Sequence, residues 1–520
     1  MSLPHKVRRF RWGGLVWVAG LLLARAAGAQ PADSLAGVRV RIAALTAESR
    51  FASARWGIEV VSLDSGEIIF AQRANETFIP ASNAKLFTAA LALQRLGPDF
   101  RIRTSVEAVA PPDTNGTLHG DLILVGRGDP TLTGRSLAVL ARAVRAAGVR
   151  RVTGDLLADV SCFRGPTTGA GWEAEDRIFA YAPEVSPLTL NANATVLSAR
   201  PGAAEGKPGL VVVQLPVSFL VISNLTRTVA AGGAHGITFE RETGGSVLRV
   251  AGRVALGGRA ESEAIAVPQP ARWCGERFRE ELRRQGVVVA GSVQVMDETS
   301  WAARPQTTAL RIELAAVTSP PLGELLARML KSSQNLYAQL LLLQVGAAEQ
   351  AHAGGTNAPP VATVDAGLQA LAAFLAEAGI PPATVRFEEG SGLSRRNTVT
   401  AAALVRLLQF MDRSPRAAVF RDGLPVAGVD GTLKQRMTGT PAEGNVRAKT
   451  GSFTGVQALS GYVATRAGER LAFALLLNGE PAASISRSTG AELDRVAVLL
   501  AGLNERTSRE GSAGAAPTKP

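Results

Sequence analysis

Histidine, cysteine and lysine are all scarce in these 520 residues. None of the four histidines (His5, His119, His235, His352) stands in a metal-binding pair, so a histidine-built metal centre is poorly supported and no metal or other cofactor is expected. No G-x-S-x-G elbow, Walker loop or dinucleotide fingerprint occurs. A serine hydrolase built on histidine would therefore have to use one of a few isolated rings. Beyond the N-terminus no apolar run reaches the length of a membrane span. Cys162 and Cys274 are the only cysteines; in an oxidising compartment one disulfide between them is expected, against two separately buried thiols. Among 56 basic residues only seven are lysine, and one of these, Lys85, stands three positions after Ser82.

The first 29 residues have a basic start (Lys6, Arg8, Arg9, Arg11), a short apolar stretch from Gly13 to Leu23, and small residues Ala27 and Ala29 placed for cleavage before Gln30. This reads as a secretory signal peptide, and the protein is expected to be exported to the periplasm or cell envelope. An uncleaved anchor fits less well, because the apolar stretch is short and Arg25 lies just beyond it. Residues 1–29 hold five positive charges and no acid, so the formal charge of +12 falls to +7 on their removal. The remaining arginine is scattered, with no basic stripe and interleaved aromatics, which argues against nucleic acid. A modest attraction to anionic envelope polymers, or peripheral association with a lipid surface, is the expected consequence.

The length suits two or three domains. Residues 30–103 read as α+β: a helical pattern at 36–50, two strands around Asp64-Ser65-Gly66, and a helix after Pro80 that starts at Ser82 and stops at Gly97. From 104 to 300 short β-like runs with frequent glycine take over, punctuated by helices near Ser136–Ala147 and Arg272–Arg284. Long helical patterns return over 301–505, among them LGELLARMLKSSQNLYAQLLLLQVG as one run, followed by a hairpin and a last helix. The two ends share a texture, so the middle reads as an insertion into one domain. HAGGTNAPPVAT is expected to be a loop, and 506–520 a disordered tail.

Lysine can replace histidine as a base when its amine is neutral, and burial or a neighbouring cation lowers its pKa towards the working range. On a helix start, Ser82 and Lys85 share one face, and the Ser82 N–H lies at the positive end of the helix dipole. Ser-x-x-Lys alone is a weak pattern. Further on, however, stand Ser333-Gln334-Asn335 and Lys449-Thr450-Gly451, completing Ser-x-x-Lys, Ser-x-Asn and Lys-Thr-Gly in the order of the active-site serine penicillin-recognising enzymes. Ser333 suits a proton relay to a leaving nitrogen, and Asn335 suits holding the substrate amide and packing against Lys85 without adding charge. Lys449 and Thr450 suit a terminal carboxylate, and Gly451 suits close approach of the substrate backbone. The N–H of Ser452, with that of Ser82, would complete an oxyanion hole. Taken separately, the second and third motifs could be polar helix surface and a plain turn. Three ordered matches in a lysine-poor chain favour the catalytic reading.

Through these motifs, and through GDPTL at 128–132, YAPEVSPLTLNANA from Tyr181, GSGLSRRN from Gly390 and LPVAGVDGTL from Leu424, the chain resembles the D-alanyl-D-alanine carboxypeptidase/endopeptidases of the class C low-molecular-mass penicillin-binding proteins. The resemblance implies an α+β, β-lactamase/transpeptidase-like domain interrupted between its first two motifs by a large β-rich insertion. It implies acyl transfer from peptidoglycan stem peptides or cross-links onto Ser82, and covalent inhibition by β-lactam antibiotics. It carries over Ser82, Lys85, Ser333, Asn335, Lys449, Thr450 and Gly451 by motif, suggests Arg395 for substrate binding, and suggests Asp159 as a partner of the stem peptide's side-chain amine. The middle motif is Ser-Gln-Asn where Ser-Asp-Asn is commoner; its central residue is not the catalytic one. A β-lactamase and a catalytically silent wall-binding scaffold are the competing readings. Arg127-Gly128-Asp129 also spells an adhesion tripeptide, which recurs by chance and is set aside.

Overall fold

The computed structural model describes residues 32–242, 245–304, 310–352, 361–479 and 490–507. The expected signal peptide, most of the HAGGTNAPPVAT loop and nearly all of the C-terminal tail lie outside the described residues. Helix α1 (Leu35–Thr46) is capped by Ser34, whose side chain accepts from the Gly37 N–H. Strands β1 (Arg55–Ser62) and β2 (Ile68–Gln72) form the expected hairpin, with Gly66 at its tip in the left-handed region. Helix α2 (Ala84–Leu96) comes next and stops at Gly97, whose φ of +80° suits a residue without a Cβ.

The chain then leaves for more than two hundred residues. Strands β3 (Arg103–Ala108), β4 (Leu122–Val125) and β5 (Leu156–Asp159) are laid down with helix α3 (Gly134–Ala146) between the last two. After a stretch of small three-stranded sheets come helix α4 (Pro270–Arg284), β6 (Val293–Met296) and β7 (Ile312–Thr318). These strands make one sheet in the order β6-β5-β4-β3-β7. Leu137, Leu140 and Val144 of α3 and Phe278 and Leu282 of α4 bury its face, forming a core of their own. This sheet takes its last strand from residues beyond 300, because β7 pairs antiparallel with β3.

Helices α5 (Leu322–Ser332), α6 (Asn335–His352), α7 (Thr363–Glu377) and α8 (Ala401–Arg413) lead back to strands β8 (Arg447–Phe453), β9 (Val456–Ala464) and β10 (Arg470–Asn478) and to helix α9 (Ala491–Ala501). The main sheet runs β2-β1-β10-β9-β8, joining the two ends of the chain. Strand β10 is hydrophobic on both faces because helices cover both. Leu471, Phe473, Leu475 and Leu477 face α1 and α9, whereas Ala472, Ala474 and Leu476 face the helices on the other side. The small alanines let α8 lie close. Among the described residues no helix is long and apolar enough to cross a membrane.

Two expectations change. The run expected as one helix breaks at Ser333, which adopts φ +57° and separates α5 from α6. In an unbroken helix Ser333 and Asn335 would point about 200° apart; the break lets both face the same cleft. The disulfide does not form: Cys274 is buried in the inserted core on α4, Cys162 lies just past β5, and both are free thiols. Burial pushes the Cys274 thiol up to about 12, leaving it unreactive in the fold. Thiol titration with Ellman's reagent under denaturing, non-reducing conditions is expected to count two thiols per chain; a count of zero would restore the disulfide.

Candidate active site

The segment Pro80-Ala81-Ser82-Asn83 is a tight 3-10 turn, not the first turn of the α-helix as the spacing predicts; α2 begins immediately after Asn83. Ala81 takes a positive φ of +46°, a conformation unfavourable for a residue with a Cβ and held here by its surroundings. Ser82 stays partly exposed while its neighbours Ala81 and Asn83 are buried, so its hydroxyl is presented at the surface of a rigid support.

Lys85 is completely buried in the first turn of α2. Its Nζ lies 2.8 Å from Ser82 Oγ, 2.5 Å from Asn335 Oδ1 and 2.7 Å from the Ser391 carbonyl. The orientation of the Asn335 amide is fixed by its other end, where Nδ2 donates to the Tyr181 carbonyl at 2.8 Å. Asn335 Oδ1 and the Ser391 carbonyl only accept hydrogen bonds. A neutral amine, with two N–H bonds and one lone pair, therefore satisfies both by donation and leaves its lone pair for the Ser82 hydroxyl. Burial lowers the Lys85 pKa to about 7, with the Glu389 charge acting in the opposite direction.

Lys449, on β8, is also fully buried. It donates to Ser333 Oγ at 2.9 Å and to the Thr450 carbonyl at 2.7 Å. Burial, then the neighbouring charges of Lys85 and Arg436, holds its pKa well below the ordinary lysine range. Thr450 Oγ1 meets Thr432 Oγ1 of the VDGTL turn at 2.8 Å. The three motifs thus converge on one cleft.

Gly451 has a packing task besides the one expected. A Cβ there would stand 2.8 Å from the Pro80 carbonyl and 3.1 Å from Ala81 Cβ, so the missing side chain lets β8 dock against the Ser82 turn. Asn83 Nδ2, donating to the Lys449 carbonyl at 3.2 Å, ties the same two segments. Ser452 comes next as an exposed residue on the strand. Arg395 reaches the end of β8, where its guanidinium lies 5.2 Å from the Phe453 ring centre, donates to the Thr454 carbonyl and pairs with Glu173 at 3.5 Å. Asp159 is not brought to this group by any hydrogen bond: it accepts from Ser161 and pairs with Arg311 at 3.2 Å in the inserted sheet.

Several members of the site were missed. Ser391 and Tyr181 lie in the quoted stretches GSGLSRRN and YAPEVSPLTLNANA, but the part they play is a backbone carbonyl's, which no residue type marks because any residue supplies one. Thr432 and Glu389 had a usable signal: Thr432 lies inside LPVAGVDGTL, and Glu389 stands one residue before GSGLSRRN.

Residues 38–498 match the D-Ala-D-Ala carboxypeptidase 3 (S13) family. The D-alanyl-D-alanine carboxypeptidase of Actinomadura sp. (strain R39) is 37% identical over 502 residues, covering 94% of this chain and 88% of that protein. The penicillin-sensitive carboxypeptidase A of Dictyostelium discoideum is 27% identical over 432 residues, covering 79% of each. Among solved structures, penicillin binding protein 4 (dacB) of Haemophilus influenzae superposes with a TM-score of 0.76 at 25% identity, covering 88% of this chain and 97% of that one. The motifs in one cleft, the interrupted α+β fold and a match spanning nearly the whole sequence agree: the chain belongs to the D-Ala-D-Ala carboxypeptidase 3 (S13) family.

Proposed function

We propose that this serine peptidase cleaves the D-Ala-D-Ala end of peptidoglycan stem peptides, and D-amino-acid cross-links between them, through an acyl-enzyme on Ser82. The observation that carries this reading is the 2.8 Å contact between Ser82 Oγ and a buried Lys85 whose other two polar neighbours can only accept.

Neutral Lys85 takes the Ser82 proton as Oγ attacks the penultimate carbonyl carbon, and the carbonyl electrons move onto oxygen. The N–H groups of Ser82 and Ser452 are the donors assigned to that oxyanion. As the tetrahedral intermediate collapses, the C–N bond breaks and the leaving D-alanine nitrogen gains a proton. Ser333 is suited to deliver it as a relay: its Oγ accepts from Lys449, so Lys449 refills the hydroxyl as the Ser333 hydrogen passes to the nitrogen. Lys449 and Thr450 receive the terminal carboxylate, Asn335 the substrate amide, and Arg395 the outer part of the peptide. Water then attacks the ester carbonyl, its proton making good the one passed through Ser333 to the leaving nitrogen, and Ser82 Oγ departs with the proton held by Lys85. The contact of Lys449 with Ser333 rather than Ser82 supports Lys85 as the acylation base.

Penicillins enter the same path, the β-lactam amide replacing the peptide bond. The substrate lies outside the cytoplasmic membrane, which agrees with export and an envelope location. Intact-protein mass spectrometry after incubation with benzylpenicillin tests the reading. A retained adduct of whole-drug mass on the mature chain, absent from Ser82→Ala, is the expected result. Rapid drug hydrolysis without a retained adduct would favour a β-lactamase. Neither adduct nor hydrolysis would leave a wall-binding scaffold.

A further inference from the structure

The loop after residue 387 is built around a buried carboxylate that the proposed chemistry does not use. Glu389 has no exposed surface, and six donors surround it. Its Oε2 accepts from the Ser391 N–H at 2.7 Å, from Ser391 Oγ at 2.5 Å and from Trp172 Nε1 at 3.3 Å. Its Oε1 accepts from the Gly392 N–H at 2.6 Å, Asn397 Nδ2 at 2.7 Å and the Ser394 N–H at 3.4 Å. An environment made only of donors suits an acceptor-only carboxylate and no other side chain of that shape.

Ser391 joins this carboxylate to the reacting group. Its N–H and hydroxyl are held by Glu389, and its carbonyl, on the opposite side of the same residue, accepts from Lys85 Nζ. Trp172 comes from the inserted segment, so the carboxylate also fixes that segment against the catalytic loop.

We propose that Glu389 is a positioning residue for acylation: by holding the Ser391-Gly392 segment it places the Ser391 carbonyl so that the Lys85 amine turns its lone pair to Ser82. This rests on the reading of Lys85 as the base. The charged groups around Lys85 are Glu389 in this loop and Lys449 on β8, the latter beside Arg436. Ser82 and Asn335, from the turn and from α6, add only neutral contacts. Among the described residues Glu389 is thus the one nearby anion favouring the ammonium form, and its removal makes the amine easier to deprotonate.

The test is the rate of benzylpenicillin acylation against pH for the full mature chain, Glu389→Gln and Glu389→Asp, with circular dichroism to check folding. In Glu389→Gln an amide NH2 must face donors, and the charge is gone. Acylation slower by up to roughly a hundred-fold, the cost of a reacting group displaced by about 1 Å, is expected, with the acid limb displaced to lower pH. Glu389→Asp keeps the charge but draws it back by one methylene: a smaller loss than in Glu389→Gln, with the limb near its wild-type position, is expected. A folded Glu389→Gln acylated at the wild-type rate would overturn the proposal, and so would one whose acid limb is unmoved. Should Glu389→Gln not fold, a wild-type rate in Glu389→Asp overturns it independently. Failure of the wild type itself to be acylated would instead overturn the proposed function.

Discussion

Methionine in place of Lys85 is expected to slow benzylpenicillin acylation by about 10²- to 10⁴-fold, the range over which a positioned general base acts. The same variant is expected to be more stable than the wild type at pH 7, so lost activity and lost folding move in opposite directions. The sign comes from linkage. The amine has a pKa of about 7 in the fold and an ordinary 10.5 when exposed, so between these values the unfolded chain holds a proton that the folded chain has released. Stability from this group therefore rises with pH from about 7 to 10.5, and at and below 7 the buried ammonium opposes folding. Lys85→Met lacks that dependence. Thermal unfolding at pH 7 and pH 9 measures the difference, and stopped-flow acylation over pH 5 to 9 should show the wild-type rate climbing through pH 7. A flat wild-type rate across that range, or full activity in Lys85→Met, would sink the assignment of the base.

Alanine at Gly392 is expected to produce the second large effect, this time on structure. Gly392 has φ +81°, and a Cβ would fall 2.0 Å from the Ala81 carbonyl and 2.9 Å from Ala84 Cβ. The backbone penalty is about 1–2 kcal/mol and overpacking adds roughly 1–3 kcal/mol. The displaced group is the turn that carries Ser82, so acylation should fall with stability. Gly66→Ala is the control: its φ of +85° carries a similar backbone cost, but no atom lies within 4 Å of the added methyl. Urea unfolding with an unchanged slope should place Gly392→Ala well below Gly66→Ala in midpoint. Equal midpoints would mean that the loop yields to the methyl and that the close approach is unimportant.

Much of the chemistry was legible because it is carried by side chains at short spacing. Ser82 and Lys85 lie within one turn, and Lys449-Thr450-Gly451 within one strand, so local pattern was enough. The hairpin of β9 and β10 and the helices α3 and α4 announced themselves by alternation and by helical period. The break at Ser333 did not, because MLKSSQNLYAQL contains neither glycine nor proline; a serine takes the left-handed conformation there through tertiary contacts, including the Lys449 bond to its hydroxyl. Strands Val221–Val229 and Gly236–Glu240 are harder to read for another reason: their apolar side chains are only half buried or exposed, so the core marks them weakly. The role of Gly451 required knowing that Pro80 lies across from it, a contact between residues 371 positions apart. The absent disulfide is a matter of distance, which spacing in sequence cannot measure.

The main sheet also sets the order in which the protein can be assembled. Strand β1 pairs along its whole length with β10, Arg55 opposite Asn478 and Ser62 opposite Leu471. A growing chain presents β1 with one edge unpaired until more than four hundred further residues have been made. At about 5–20 residues per second that interval is roughly 20 to 80 s. Contacts so distant in sequence form slowly. Strand β1, with an open edge and with Trp56, Ile58 and Val60 on one face, is therefore a segment that a holding chaperone has reason to cover during biogenesis.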